Sequence, residues 1–188
     1  WRNGALLLVS LLFYGWGEPK YVILMVFSIL AGYGFGLMVE KYRGKTAGKI
    51  FCILSVCVSL LFLICFKYAD FFIGNFNAVT GMNLSLLRLA LPIGISFYTF
   101  QIISYTLDVY RGETAQKNII HLAAYIAMFP QLIAGPIVRY CDIAGQLACR
   151  EHSWHKVALG IRRFVIGLAK KILLANQLGE LCSVFRAS

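Results

Sequence analysis

Two apolar stretches restrict the fold of this chain more than any other feature of its sequence. A helix needs about 20 consecutive apolar residues to cross the roughly 30 Å hydrocarbon core of a bilayer, and residues 21–39 and 50–68 both come close to this length. Residues 4–16 are apolar but shorter, so they form either the end of another span or a helix at the membrane interface. The sequence therefore predicts an all-α fold, a polytopic membrane helical bundle.

The composition favours a membrane protein over a soluble domain. Of 188 residues, 60% are hydrophobic and 14% are charged, whereas a soluble domain has about 25% charged residues. A net charge of +10 would suit nucleic acid, but the basic residues lie between apolar stretches, where they suit lipid headgroups. We therefore expect a multi-pass protein of the cell membrane, with membrane lipid and not nucleic acid as a partner.

The two ends of the sequence indicate a fragment. The first residue is Trp1 rather than methionine, and Ser188 follows closely on an apolar stretch. We expect residues 1–188 to form a single membrane domain that is one part of a larger protein.

The charges of the connecting segments predict the orientation in the membrane. Residues 40–49 have a net charge of +3 and residues 139–171 a net charge of +5, whereas residues 69–90 are neutral overall. Because basic loops stay in the cytoplasm, the first two segments are predicted to be cytoplasmic and residues 69–90 to lie outside.

Two further apolar segments contain residues that break helices. Residues 86–110 contain Pro92 and Gly94 near their start, which should kink or break the helix. Residues 119–138 begin and end on the predicted cytoplasmic side, so they cannot be a simple crossing. We predict a re-entrant segment there, broken at Pro130, Gly135 and Pro136.

A polar stripe follows one face of the predicted helix at residues 86–110. Its members recur at steps of four, three, four and three residues, which places them together on a helix. Polar groups in a membrane helix are costly unless they face a cavity or the bundle interior. The alternative is that Gln101 and Ser104 form hydrogen bonds between helices and that Asp108 and Arg111 end the helix in water. The stripe contains Phe97, Gln101, Ser104, Asp108 and Arg111, with Tyr105 beside it.

Two more polar residues are candidates, like this stripe, for a pathway or an interface in the membrane. Gln131 lies inside the broken segment, and Arg139 follows it directly. A guanidinium suits an anionic ligand, although a lone arginine at a membrane boundary also serves as a headgroup anchor.

Residues 156–178 predict a basic amphipathic helix at the cytoplasmic surface. With 100° between successive residues, four basic side chains fall within roughly a 100° sector of the helix, and apolar residues occupy most of the remainder. The alternative is a transmembrane helix with basic side chains that reach back to the interface. The basic face consists of Lys156, Arg163, Lys170 and Lys171.

Of the three histidines, His121 alone lies at membrane depth, and the sequence indicates no carboxylate or hydroxyl partner for it. His152 and His155 lie in the polar stretch REHSWHK and are expected to be solvated at the interface. There is no GxSxG, P-loop or HExxH motif, and no Cys/His spacing typical of a metal site. The sequence predicts no metal and no complete catalytic centre within these residues.

Four blocks resemble the membrane-bound O-acyltransferase family, and its alginate O-acetyltransferase branch most of all. The resemblance extends over essentially the whole chain, in order. The blocks are WGEPKYVILM at 16–25, LPIGISFYTFQIISYTLDVYRG at 91–112, FPQLIAGPIVRY at 129–140 and GIRRFVIGLAKKILLAN at 160–176.

The resemblance implies an enzyme that passes an acyl group through a membrane tunnel to an extracytoplasmic hydroxyl. The implied donor is acetyl-CoA or an acylated carrier, with no bound cofactor. The implied partners are a polysaccharide acceptor, alginate-like, and acyl-carrier or accessory acetylation proteins. The family's catalytic histidine is expected downstream of Ser188, and the polar candidates, including Gln131 and Arg139, are expected to line the tunnel.

Three other functions remain open at this stage. Within the same family, the LPxGxSFxTF type of block also occurs in proteins that transfer D-alanine to teichoic acid. A secondary transporter would also have proline-broken helices, but it should show an inverted repeat, and nothing in residues 1–68 repeats the pattern of 86–138. A non-catalytic membrane scaffold is the third alternative.

Overall fold

A computed structural model describes residues 2–132, 135, 138–149 and 153–187 of the chain. These residues contain helices and no strand, which confirms the predicted all-α class. They form two compact units, one ending at Ala148 and the other beginning at Cys149. The prediction of a single membrane domain is not tested by this division.

Helices α1 to α3 form the first part of the larger unit. Helix α1 extends over Arg2–Gly17, a short 3-10 turn over Pro19–Tyr21, α2 over Val22–Lys41 and α3 over Thr46–Thr80. Two helical segments, Pro19–Lys41 with 23 residues and Thr46–Thr80 with 35, are long and apolar enough to cross a membrane. They contain the two apolar stretches that the sequence singles out.

Helix α3 is longer than its apolar stretch at 50–68, and it includes residues predicted to belong to an outside loop. Polar side chains in its last turns bond to the carbonyl of the residue four positions earlier, Asn75 to Phe71 and Thr80 to Phe76, so they fit within a helix. The helix ends at Gly81, whose φ of +70° lies in the left-handed region that glycine adopts without strain.

Helix α4 extends over Ile95–Arg111. It begins directly after Pro92 and Gly94, so these two residues end the non-helical segment rather than kink a longer helix. Gly94 has a φ of +73° and lies against α6, since a Cβ built on it would be 3.1 Å from the Leu132 carbonyl oxygen.

Both ends of α4 are held by residues that flank α2. At the start, the Tyr21 hydroxyl donates to the Ala90 carbonyl at 2.8 Å, just before α4. At the end, the Arg43 guanidinium donates to the carbonyls of Val109 at 2.7 Å and Gly112 at 3.0 Å, and also to that of Glu113. The Val109 carbonyl also accepts a hydrogen bond of 3.3 Å from the Gly112 amide, and Arg43 adds a side-chain cap to the carbonyls at the end of α4.

Helices α2, α3 and α4 pack against one another, α3 mainly through its first half. Gly32 and Gly36 allow the close approach, because a Cβ on Gly32 would lie 2.9 Å from Ile102 Cγ2 and one on Gly36 would lie 2.5 Å from the Tyr105 hydroxyl. Two glycines at this GxxxG spacing are typical of close packing between membrane helices, and α2 and α4 pack closely here. On the α3 side, a buried hydrogen bond of 3.1 Å joins the Ser55 and Thr106 hydroxyls.

Three short helices complete the larger unit: α5 over Ile119–Ile126, α6 over Phe129–Leu132 and α7 over Tyr140–Ala148. Asn118 caps α5, since its side chain accepts a hydrogen bond of 2.9 Å from the Ile120 amide. Helix α6 lies at the beginning of α4, next to Gly94. Arg139, directly before α7, contacts Asp108 near the end of α4.

The smaller unit is helical throughout its described residues after Ser153. Helix α8 extends over Trp154–Lys170, a π-helical segment over Lys171–Asn176 and α9 over Gln177–Ala187. The Ser153 side chain caps α8 by accepting a hydrogen bond of 3.2 Å from the Lys156 amide. The large apolar side chains of α8 are exposed, among them Trp154, Ile161, Phe164, Val165 and Leu168.

The packing of α2 on α4 predicts different outcomes for two neighbouring glycines. In Gly36→Ala the new methyl group meets Tyr105, which is fully buried and packed edge-on against Tyr140 at 4.9 Å between ring centroids. We expect a loss of about 1–3 kcal/mol in the free energy of unfolding, measured by thermal denaturation of the purified protein in detergent.

Gly34→Ala is the matched control, because a Cβ on Gly34 has no neighbour within 4 Å. It should leave stability unchanged or raise it by up to about 1 kcal/mol, since alanine favours a helix over glycine. Equal losses in the two variants would contradict the packing argument.

Candidate functional site

A buried carboxylate near the end of α4 is the centre of the candidate site. Asp108 is 2% exposed, and its Oδ1 accepts a hydrogen bond of 2.8 Å from the Arg139 guanidinium. Its second oxygen, Oδ2, is buried without a hydrogen-bond partner. Because a buried acceptor without a partner is costly, this oxygen calls for an explanation.

The partner of this carboxylate lies at the surface. The Arg139 side chain is 56% exposed, so water also reaches its guanidinium. The hydrogen bond to Asp108 and the negative charge of that carboxylate raise the pKa of Arg139 above its ordinary value. Arg139 therefore remains a cation whose Nη2 is held by Asp108 while much of its side chain is accessible to water.

Several of the predicted tunnel-lining residues come together in one cavity of about 290 Å³. Its polar lining residues are Ser104, Asp108, Arg111 and Arg139, and its apolar lining residues are Phe100, Ile103 and Leu107. The helical spacing of 104, 108 and 111 places three of them on one face of α4, and the segment before α7 supplies the fourth.

The other predicted residues lie elsewhere. Tyr105 points towards α2 and accepts a hydrogen bond of 3.1 Å from the Gln116 amide. Gln101 is buried, and its Oε1 has no partner. Gln131 is buried on α6. These three residues do not line the cavity around Asp108, and their part in a tunnel stays a prediction.

Gln116 is a residue that the sequence does not single out. Its backbone amide donates to the Tyr105 hydroxyl, and its side-chain Nε2 donates to the Tyr140 hydroxyl at 3.1 Å. Burial raises the pKa of the Tyr140 hydroxyl, and the hydrogen bond from Gln116 opposes this. Gln116 lies in a short polar connection without periodicity, so only its contacts show that it joins α4 to α7.

Unpartnered polar side chains also occur towards the other end of α4. Tyr98 and Gln101 on α4, and Ser10 and Tyr14 on α1, have buried oxygens without a hydrogen-bond partner. One of these residues, Tyr14, also lines a cavity of about 410 Å³ with an apolar wall. It is lined by Phe13, Tyr14, Trp16, Gly17, Ile93, Phe129 and Leu132.

The predicted basic face belongs to the smaller unit. Lys156, Arg163 and Lys170 lie on α8, Lys171 begins the π-helical segment, and all four are exposed. Of the histidines, His121 is half-buried on α5 and His155 is exposed on α8. His152 lies outside the described residues. Among residues 2–132, 135, 138–149 and 153–187, no group of three or more His, Cys, Asp or Glu side chains could hold a metal ion.

Comparison with known proteins identifies the family. The model of MBOAT, the membrane-bound O-acyltransferase family, matches residues 39–187. The chain belongs to this family. The match includes α3 and α4, the residues that line the Asp108 cavity and both α-helices of the smaller unit, and it confirms the resemblance seen in the sequence.

Individual relatives refine this result. The chain is 41% identical over 187 residues to a probable alginate O-acetylase, AlgI, of Pseudomonas aeruginosa, a match that covers 96% of this chain and 36% of that protein. It is 32% identical to the peptidoglycan O-acetyltransferase of Helicobacter pylori, covering 92% of this chain and 38% of the relative.

A more distant relative is the teichoic acid D-alanyltransferase of Lacticaseibacillus rhamnosus, at 22% identity over 88% of this chain and 39% of that protein. The chain thus spans little more than a third of the length of these relatives. No solved structure matches it.

The ion pair of this MBOAT chain predicts a non-additive response to substitution. Arg139→Gln leaves Asp108 buried without its cationic partner, so it should destabilise the protein. The double variant Asp108→Asn with Arg139→Gln removes the uncompensated charge and should be more stable than Arg139→Gln alone. Thermal unfolding of the four proteins of this cycle measures the coupling; strictly additive losses would contradict a coupled pair.

Proposed function

We propose that this chain is part of an enzyme that transfers acetyl groups to hydroxyls of an exported or cell-surface polysaccharide. The observation that carries the proposal is the similarity to the alginate O-acetylase, at 41% identity over 96% of this chain. The peptidoglycan O-acetyltransferase supports the same reaction class on a different carbohydrate polymer. We take an alginate-like polymer as the acceptor, because the alginate relative is the more similar of the two.

Transfer of D-alanine to teichoic acid is the second candidate within the family. The relative that performs it is 22% identical, which is about half the identity to the alginate relative. Acetyl transfer is therefore the better-supported proposal.

We propose a polytopic arrangement in the cell membrane, with residues 40–49 and 139–171 in the cytoplasm. Two helices of sufficient length and hydropathy support it, and the basic loops support its orientation. In this arrangement the end of α4 with Asp108 faces the cytoplasm, and Gly94 lies towards the outside.

We further propose that residues 119–138 form a re-entrant segment. Two contacts support it: Leu132 lies against Gly94 at the start of α4, and Arg139 binds Asp108 near its end. Gln116, in the connection between α4 and α5, contacts both Tyr105 and Tyr140. The segment therefore begins and ends near the same end of α4, the end with Asp108.

The proposed reaction needs a base and an acyl donor. A histidine beyond Ser188 is proposed to take the proton of a sugar hydroxyl while its oxygen attacks the acyl carbonyl. The bond between the acyl carbon and the donor then breaks, and the donor leaves as its thiol with that proton. The acetyl group comes from acetyl-CoA or an acylated carrier, directly or through an intermediate carrier. This chain supplies part of the tunnel wall, with the cavity at Asp108 on the donor side.

The experiment is complementation of a strain that lacks the complete gene, followed by measurement of ester-linked acetate on its polysaccharide. The wild-type gene should restore acetylation, and alanine at the downstream histidine should abolish it. His121→Ala and His155→Ala are the matched controls and should retain acetylation. Restored D-alanine on teichoic acid would favour the second candidate, and no acyl transfer at all would favour a transporter or a scaffold.

We propose that the basic face of the smaller unit meets an acidic donor or carrier protein. Its charge is suited to steering an acidic partner. In the complete protein, reversing Arg163, Lys170 and Lys171 to Glu should raise the apparent KM for the donor, most of all at low salt. The control with the same change in net charge reverses Lys20, Lys67 and Arg88, which lie in the larger unit. Unchanged donor use in the first variant would overturn this hypothesis.

A further inference from the structure

Helix α3 is longer than a membrane crossing requires. Its 35 residues correspond to about 52 Å of helix, whereas the hydrocarbon core is about 30 Å thick and the whole bilayer about 40–45 Å. The last basic residue of the segment proposed to be cytoplasmic is Lys49, and about 20 further helical residues reach the outer boundary of the core near Asp70. The end of α3 and the segment after it, residues 69–90, therefore extend past the core, and we call them the outer arm.

The segment that follows α3 folds back on the end of the helix. Asn77 bonds to Leu84 twice, since its Nδ2 donates to the Leu84 carbonyl at 2.9 Å and its Oδ1 accepts from the Leu84 amide at 3.0 Å. The Asp70 carboxylate accepts from the amides of Leu87 at 2.8 Å and Arg88 at 3.0 Å. Arg88 has a φ of +48°, a left-handed conformation that lets two successive N–H groups converge on one anion. The arm is thus a folded unit held by its own side chains.

The surface of the outer arm is apolar on the helix and on the returning segment. Val79, near the end of α3, is 86% exposed. The arm has two charged residues, Asp70 and Arg88, and the Asp70 carboxylate is used within the arm. Extensive exposed apolar surface marks contact with another protein or with a membrane. Other large apolar side chains exposed here include Phe71, Phe72 and Phe76 on the helix and Met82, Leu86 and Leu89 on the segment.

Two features of the arm favour lipid as the contact. Non-helical backbone needs hydrogen-bond partners where water is scarce, and the side chains of Asp70 and Asn77 supply them to the exposed segment. The charged side chain that remains, Arg88, is exposed, and a cation is the charge that lipid headgroups attract. A helix longer than the hydrocarbon core tilts to fit it, and tilting of α3 brings the arm towards the membrane surface.

We infer that the outer arm is embedded in the interfacial region of the outer leaflet. Its apolar side chains contact the upper parts of the acyl chains, and Arg88 lies among the headgroup phosphates. The partner of this surface is therefore the phospholipid layer itself. Residues 69–90 lie outside the hydrocarbon core, as the charge pattern predicts, but they are not a loop in water. The inference rests on the polytopic arrangement proposed above and not on the acyl-transfer reaction.

The test uses the complete protein in phospholipid nanodiscs. A fluorescent amino acid whose emission reports polarity replaces Val79 or Leu86, and Lys45, which is exposed in the loop before α3, is the matched control position. The nanodiscs contain lipids with bromine close to the headgroup, which quenches fluorescence on contact. Labels at 79 and 86 should emit as in apolar surroundings and be quenched several-fold more strongly than the label at 45.

Three results overturn the inference. Emission typical of water at both arm positions, together with quenching by dissolved iodide, places the arm in water. Emission typical of apolar surroundings that no brominated lipid quenches shows that protein covers the arm. Equal quenching at positions 45, 79 and 86 removes any particular contact of the arm with lipid.

The fold of the arm is tested separately by hydrogen exchange in the same nanodiscs. Asn77→Ala removes both bonds to Leu84, so exchange of the Leu84 amide should become roughly tenfold faster. Asn75→Ala is the matched control, because Asn75 bonds to Phe71 within its own helix, and it should leave that amide unchanged. No change in Asn77→Ala, or an equal change in both variants, contradicts the folded arm.

These measurements are independent of the proposed reaction. A complete protein whose arm is quenched by lipid but which restores no acetylation contradicts the proposed function and leaves the arm in place. A complete protein that restores acetylation while its arm emits as in water overturns the lipid contact and leaves the proposed function in place.

Discussion

The close approach of α2 to α4 is the contact on which the rest of the larger unit depends. At Gly32 and Gly36 the backbone of α2 lies where a side chain would collide with Ile102 and Tyr105, and small residues at such an interface maximise packing in the absence of a hydrophobic driving force. Arg43, just beyond α2, then caps the end of α4. With one face of α4 against α2 and another against α3, the third face is left for the cavity.

Asp108 lies on this third face of α4 and is buried near the end of the helix. Burying an ionised group is costly unless it is paired, and Asp108 is paired by Arg139 across the gap between α4 and α7. The pair, together with the bridge from Gln116 to Tyr140, ties α7 to α4. The same arrangement places Asp108 and the exposed Arg111 side chain at one cavity.

Much of the helical fold could be predicted because it depends on local properties. The long apolar stretches predicted the two membrane-capable helices, and Pro92 with Gly94 predicted where α4 cannot extend. The polar spacing of 104, 108 and 111 predicted one helix face, and these three residues line one cavity. The direction of the Tyr105 side chain could not be predicted from periodicity. It lies at the edge of the polar stripe, and its packing against α2 decides which way it points. Gln116 was missed for a similar reason, since its contacts are with two other helices.

The sequence by itself determined the all-α class, the family and the residue types available to the site, since length, hydropathy and residue spacing within each block are local properties of the chain. Only the tertiary structure decided which of the polar candidates meet. Ser104, Asp108 and Arg111 join Arg139 because the chain returns to the end of α4, whereas Gln101, Tyr105 and Gln131 are directed elsewhere. The physical reason is that an ion pair between residues 31 positions apart forms only when packing has brought two helices together.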